Sequence, residues 1–442
     1  MSSNVAHRRA GILLPQADPN VRHAVPGERR YPPVMSSIAP DLRRARVANS
    51  FAFGLQGFFF AVVLTELPQQ QEKFGLSDGL IAASIVVVSL LAGGGSVLAE
   101  QLAVRWSSRT TLRLGLLLIT LTGCAIAFAP NTAGLLVGLC CYGIALGMVD
   151  ASTNMQAVFI QHGYGTFILA SFYAAWSAGS IIGALTVAGA ESLDVTLRQT
   201  LLIAAVLVLL AGSALGPRLL GTDAAEASPA EQVPGDAAAI RSVALRVYLA
   251  FGIAMALVFA IDIAVGSFSA LYLESDDLSA AASTAALGLA AYQGASLLAR
   301  LTGDWWVRRF GPRLVVRVAA AIGVVGMALV VLAPAPGVAI AGFFVAGIGL
   351  PVIAPLCFSE AGRLASGRAL DSLIARLNLF NYAGTLVGGG LVGAIAAGFS
   401  HRVSFLVPLL FAAALIVLAG VFQSRPEAGG APADHGRASL EK

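Results

Sequence analysis

The chain carries little charge. Only 12% of its 442 residues are Asp, Glu, Lys or Arg, about half the share found in an ordinary soluble domain. Most side chains must therefore meet an apolar solvent, which excludes a water-soluble chain of this length. Lysine is nearly missing: Lys73 and Lys442 are the only two. Neither sits in the GxxxxGK[ST] pattern whose lysine reaches nucleotide phosphates, so ATP bound in that way is not the energy source. The four cysteines, Cys124, Cys140, Cys141 and Cys357, all lie in apolar runs. None forms a CxxC pair or has a histidine at metal-ligand spacing. They read as small buried hydrophobes, and no metal, cofactor or enzyme chemistry is expected. Gly388 to Gly393 matches GxGxxG in form. A dinucleotide site also needs a strand and a βαβ unit, and long apolar runs leave no room for one. No basic, polar domain offers itself to nucleic acid.

What the chain has instead is hydrophobic length. Hydrophobic residues make up 57%, and a helix that crosses the bilayer core needs about 20 of them in a row. Twelve such segments can be counted: 46–66, 79–103, 111–129, 132–157, 166–189, 197–214, 245–271, 281–305, 313–333, 337–358, 372–396 and 402–422. Backbone polar groups in lipid must be satisfied internally. Barrel strands are about 10 residues long and alternate in polarity, so these runs are helices. The expected class is an all-α membrane protein with 12 transmembrane helices.

The ends and the middle are different material. Residues 1–42 are rich in Pro, Ser and Arg and lack the apolar core of a signal peptide. They are expected to form a disordered cytoplasmic tail, within which Met35 offers an internal start. Residues 215–244 are polar and contain Pro and Gly. They read as a cytoplasmic linker between a six-helix half, 43–214, and a second half, 245–422, with a cytoplasmic tail at 423–442. Arginine fixes the orientation. With the N-terminus inside, the inner loops hold Arg43, Arg44, Arg46, Arg105, Arg109, Arg113, Arg218, Arg241, Arg246, Arg308, Arg309, Arg313, Arg317, Arg363 and Arg368. The outer loops hold only Lys73, Arg198 and Arg402. Both termini are expected in the cytoplasm.

The halves repeat each other at a fixed offset. Arg105 to Arg109 echoes Arg309 to Arg313, and Glu100 falls on Asp304, both at 309 − 105 = 204. Gly143 to Gly147 matches Gly347 to Pro351 in the same register. Gly179 and Gly183 match Gly384 and Gly388 at 205. These glycine pairs let helices approach closely, and are expected where helices 5 and 11 abut the opposite half. The loops after helices 2 and 8 carry the acid-and-arginine pattern of a conformational latch: Glu100, Arg105 and Arg109, then Arg300, Asp304, Arg309, Gly311 and Arg313. Arg300 and Asp304 are spaced i, i+4 and are expected to pair on one helix face. The competing reading is that these arginines only anchor the inner surface. The first copy has Ser107 where the turn glycine would stand.

A few polar residues interrupt the apolar segments. Asp150 lies deep in helix 4, where a charge costs about 2.5–3.5 kcal/mol on insertion scales and usually serves function. Asn154 shares its face at i, i+4. The repeat partners of this pair are Ala354 and Phe358, so the scaffold recurs without the polar pair. That favours a proton and solute site over a polar clamp between helices. Asp262 on helix 7, with Ser267 and Ser269 beyond it, is a second candidate. Gln56, Gln293, Asn378 and Asn381 are candidate hydrogen-bonding groups for a solute. Phe172, Tyr173, Trp176, Tyr292 and Tyr382 are aromatic candidates for the pathway, and Glu66 reads as an acid at the outer end of helix 1.

Across residues 46–422 the chain resembles the fucose-permease-like branch of the major facilitator superfamily. The resemblance is carried by Pro68 with Phe74-Gly-Leu-Ser-Asp78, Asp150 with Asn154, Ser171-Phe172 with Gly179 and Gly183, Asp262 with Ser269-Ala-Leu-Tyr-Leu273, and Gly303-Asp304 with Gly311. It implies two pseudo-symmetric six-helix bundles, related in parallel, with a solute site between them at mid-membrane. It further implies a monomeric, proton-coupled permease of the bacterial inner membrane, moving a small-molecule solute by alternating access. In such permeases the acid matched by Asp150 takes part in proton and sugar handling. The family's helix 1 acid is not matched, since that stretch reads Val62-Val63-Leu64, and Glu66 stands where related permeases often have a basic residue. The proline of drug–proton antiporters is replaced by Ala184 after Gly183. Two other readings stay open: an exporter of a drug-like or biosynthetic metabolite, and a non-transporting membrane sensor on the same scaffold.

Overall fold

The computed structural model describes residues 38–221 and 237–423, and leaves the side chains of 237–244, of Asp78 and of Ala82 undescribed. The greater parts of the expected tails at 1–42 and 423–442, and residues 222–236 of the expected linker, lie outside the described residues. No strand occurs among the described residues. Twelve long helices follow in order: α1 (Pro40–Thr65), α2 (Asp78–Arg105), α3 (Ser108–Ala127), α4 (Thr132–Tyr164), α5 (Leu169–Ser192), α6 (Leu197–Leu215), α7 (Ala237–Glu274), α8 (Ala282–Phe310), α9 (Pro312–Val331), α10 (Pro336–Gly349 continuing through a 3-10 turn at Leu350–Val352 into Ile353–Ala361), α11 (Gly367–Gly398) and α12 (Leu406–Leu418). A short helix, Leu67–Phe74, follows α1. The end of the molecule holding the α2–α3, α4–α5, α8–α9 and α10–α11 connections is called the arginine-rich end below.

Two boundaries differ from expectation. Pro40 opens α1, where proline's fixed φ suits the first turn, so residues 40–42 belong to the helix and not to the tail. At the far side of the linker α7 begins at Ala237, because the alanine run there favours helix. Other boundaries follow local chemistry. Asn131 caps α4 by accepting from the Gly134 N–H at 2.9 Å. Gly165, at φ +62°, ends it. Gly311, at φ +81°, and Pro312 make the sharp α8–α9 corner.

Eleven spans among the described residues are long and apolar enough to cross a membrane. The exception is α8. Its 29 residues would reach about 43 Å at 1.5 Å each, ample for a span. Tyr292, Gln293, Arg300 and Asp304 lower its hydropathy, and neighbours on both sides, α5, α7 and α10, bury all of these but Gln293. A polar helix is tolerated in lipid when its polar groups face protein.

The first six helices pack mainly on each other, α1 on α5, α2 on α4, α3 on α4 and α6. The second six repeat the scheme, α7 on α11, α8 on α10, α9 on α10 and α12. The two sets meet along α2 with α11 and α5 with α8. Glycines set the close approaches. A Cβ on Gly179 or Gly183 would overlap the carbonyl oxygen of Gly54 or Phe58 on α1, and one on Gly384 or Gly388 would overlap that of Ala256 or Ala260 on α7. The expected placement is therefore corrected. Helices α5 and α11 do abut the opposite half, but their glycine faces press on α1 and α7 of their own half. The small faces weld each half together, and other residues of the same two helices make the contact between halves.

Candidate functional site

Gly143 and Gly147 let α4 lie directly on α2, since a Cβ at either would meet the carbonyl oxygen of Val88 or Ala92. This packing holds Asp150, near the middle of α4, facing the second half. Its carboxylate accepts four hydrogen bonds. Gln56 Nε2 on α1 donates to Oδ1 at 3.2 Å. Three donors come from α11 to Oδ2: Asn378 Nδ2 at 2.9 Å, Asn381 Nδ2 at 3.1 Å and the Tyr382 hydroxyl at 3.0 Å. Asn378 also donates to Ser96 Oγ on α2 at 3.0 Å. Residues 378, 381 and 382 share one face of α11 by their i, i+3, i+4 spacing. The amide oxygens Gln56 Oε1 and Asn378 Oδ1 are buried and accept no hydrogen bond within the protein.

A second polar group lies beside the first. Asn154 donates to the Asp150 backbone carbonyl at 2.9 Å and accepts from the Tyr173 hydroxyl of α5 at 3.0 Å. The Arg300 guanidinium of α8 lies 5.9 Å from the centre of the Tyr173 ring. Arg300 Nη1 donates to Ser177 Oγ of α5 at 2.7 Å, and Nη2 faces Asp262 Oδ2 of α7 at 3.8 Å. The Tyr292 hydroxyl donates to the other oxygen of Asp262. Asp150, Asn154, Gln56, Asn378, Asn381 and Asp262 thus gather between the halves. Gln293 is exposed and stands outside both networks. Ser269 is buried and its hydroxyl has no partner, and Glu66 is buried at the end of α1.

The expected latch residues divide into two kinds. Some cross between halves. Glu100 on α2 takes both bonds of Arg376 on α11, at 2.8 Å to Nη2 and 3.0 Å to Nε. Asp304 on α8 accepts from the Ala170 and Ser171 backbone N–H groups, each at 2.9 Å, and so caps the first turn of α5 where those donors have no helical partner. The two arrangements are counterparts, because 376 − 171 = 205 repeats the offset of the halves. Others stay within one half. Arg109 donates to the Gly216 and Pro217 carbonyls, and Arg313 Nε donates to Phe422 at 2.7 Å. Arg105 and Arg309 are exposed, and Gly311 makes the corner. The expected Arg300–Asp304 pair is replaced: Asp304 is drawn to the α5 N-terminus, and Arg300 turns to Asp262.

Several contacts were not foreseen from sequence. Arg376 carried no motif. Arg308 donates to the Phe167 carbonyl across the halves at 2.7 Å, and Gln161 Nε2 on α4 reaches Ser359 Oγ on α10 at 2.6 Å. The offset itself was the available signal for Arg376, because it is the repeat position of a residue at the start of α5. All these bridges lie at or towards the arginine-rich end, where they tie the halves together.

The family model of the Major Facilitator Superfamily matches residues 10–184 and 250–440. The chain belongs to the Major Facilitator Superfamily. It is 28% identical over 382 residues to an uncharacterized transporter, y4wD, of Sinorhizobium fredii, covering 84% of this chain and 96% of that one. The superfamily fold is matched by crystal structures of the transporter FucP. One, in the outward conformation, has a TM-score of 0.69 at 18% identity, covering 86% of this chain and 98% of that one. Another, described as the E. coli fucose:proton symporter, has a TM-score of 0.68 at 18% identity, covering 87% and 100%. This superfamily member is a multi-pass membrane transporter of two six-helix bundles.

Proposed function

We propose that the protein is a proton-coupled secondary transporter that moves a small solute by alternating access. The units that rock are residues 43–214 and 245–422, in a bacterial inner membrane with both termini in the cytoplasm. The observation that carries this reading is the Asp150 carboxylate, held by α1 on one side and by three donors of α11 on the other. A single ionisable group bridging both halves couples its charge to their separation. An ionised carboxylate only accepts hydrogen bonds, whereas a protonated one must also donate. Gaining a proton also removes the negative charge that strengthens the bonds tying α4 to α11. Gln56 Oε1 and Asn378 Oδ1 supply acceptors beside it for a solute's hydroxyl or amine groups. The arginines support a cytoplasmic position for this bridged end. FucP, which shares the fold, is a fucose:proton symporter.

The test is uptake into proteoliposomes under an imposed proton gradient, using solutes that shift the melting temperature of the purified protein. The expected result is uptake that follows the gradient in the wild type and is lost in Asp150→Asn. Unchanged proton-coupled uptake in that variant overturns the role of Asp150.

A further inference from the structure

Arg300 is the one fully buried basic side chain among the described residues, at 6% exposure. A buried guanidinium is costly unless its charge is paired and its donors are used, and this one is under-used. It has five N–H donors in a planar fork. One goes to Ser177 Oγ. Nε has no partner. The contact with Asp262 is 3.8 Å long, well beyond the 2.7–2.9 Å of a close charge-assisted hydrogen bond. Asp262 is held by the Tyr292 hydroxyl rather than by the arginine, and 22% of its side chain is exposed. A purely structural ion pair would be short and two-pronged. This one is a loose counter-ion in front of a fork that is shaped for a carboxylate.

We propose that Arg300 is the anion-binding group of the solute site, and that the solute carries a carboxylate. This rests on the transporter reading given above. The solute's carboxylate takes the Nη and Nε donors that Asp262 leaves free. The Asp262 carboxylate, then beside a second anion, takes a proton from the aqueous phase onto the oxygen that faced Arg300. Its other oxygen keeps the Tyr292 bond. The charged and titratable groups facing Asp262 are Arg300 and Tyr292, both from α8. Loading thus adds an anion and a proton together and leaves the net charge of the pair unchanged. Tyr173, which touches both Arg300 and Asn154, sets the anion site next to Asp150.

Matched acids and neutral analogues test this directly: gluconate against glucose, lactate against propane-1,2-diol, and benzoate against benzyl alcohol. Binding is read by thermal shift and calorimetry, and proton uptake by an indicator dye. At least one acid should bind while its neutral partner does not, with a proton taken up as it binds. Arg300→Lys should weaken that acid by about tenfold or more, because an ammonium cannot reproduce the fork. The Asp262→Asn/Arg300→Gln double variant removes both charges, leaves no orphaned buried ion, and should fold but not bind. Asp262→Asn should keep binding and lose the proton uptake. The proposal is overturned if no acid binds, if a neutral partner binds equally well, or if the Arg300→Lys and double variants bind as the wild type does. The transporter reading fails separately if a bound acid is never carried into proteoliposomes. It survives the loss of this proposal if a neutral solute is carried instead.

Discussion

An ionised carboxylate offers about four acceptor positions; Asp150 accepts from Gln56 on one oxygen and from Asn378, Asn381 and Tyr382 on the other. Removing one donor should weaken the hold of α11 on α4 without emptying the site. Tyr382→Phe keeps the ring and loses one bond to a charged group, worth about 1.5–3 kcal/mol. Proton-coupled uptake should fall roughly tenfold or more in that variant, with the melting temperature lowered by roughly several degrees; uptake at the wild-type rate contradicts the assignment. Asp150 was legible in the sequence because an acid in an apolar run is conspicuous, and Asn378 and Asn381 because amides there are uncommon. Tyr382 was one aromatic among several, and only the helical register of α11 distinguishes it. The Arg300–Asp262 contact was hidden by a nearer candidate: spacing on one helix suggested Asp304, while the unfilled first turn of α5 competes for that carboxylate from another helix.

At the scale of the element, the repeated glycines were readable as close-packing sites, but not the helix each would touch. An offset between halves says that two contacts are alike, and leaves open whether they lie within halves or between them. The answer has a consequence. Gly384→Leu should force α11 off α7 inside one half, costing about 1–3 kcal/mol as overpacking and lowering the melting temperature. A variant as stable as the wild type would contradict the packing. Glu100 and Arg376 differ in kind. Arg376 is 65% exposed, and pairs of that sort contribute about 0–1 kcal/mol. Arg376→Gln should therefore leave stability nearly intact while raising the fraction of molecules open at the arginine-rich end, measured by accessibility of a cysteine placed at Ser359. No change in that accessibility would remove this pair from the latch. Helix α8 was counted as a span from its length and position, although its hydropathy alone does not qualify it; of its polar residues, Tyr292, Arg300 and Asp304 are turned towards α5 and α7, while Gln293 is exposed.

For the whole molecule, the described bridges between halves run from the Asp150 cluster to Gln161–Ser359 and Asp304–α5 at the arginine-rich end. In a background lacking the native cysteines, a disulfide between Gln161→Cys and Ser359→Cys should form readily, stop turnover, and release it on reduction; turnover that persists with the bond intact contradicts alternating access by these halves. The central claim, that the charge on Asp150 governs this closure, is tested most directly by spin labels at the exposed positions Trp106 and Leu364, which lie in opposite halves. The distance between them is followed as pH is lowered. Acidification should shift the wild type from a short to a longer distance, because the bonds from α11 to a protonated Asp150 are no longer charge-assisted and are weaker. Asp150→Asn should show the longer distance at every pH. A wild-type distance indifferent to pH, or an Asp150→Asn variant that still closes and opens with it, would contradict the account.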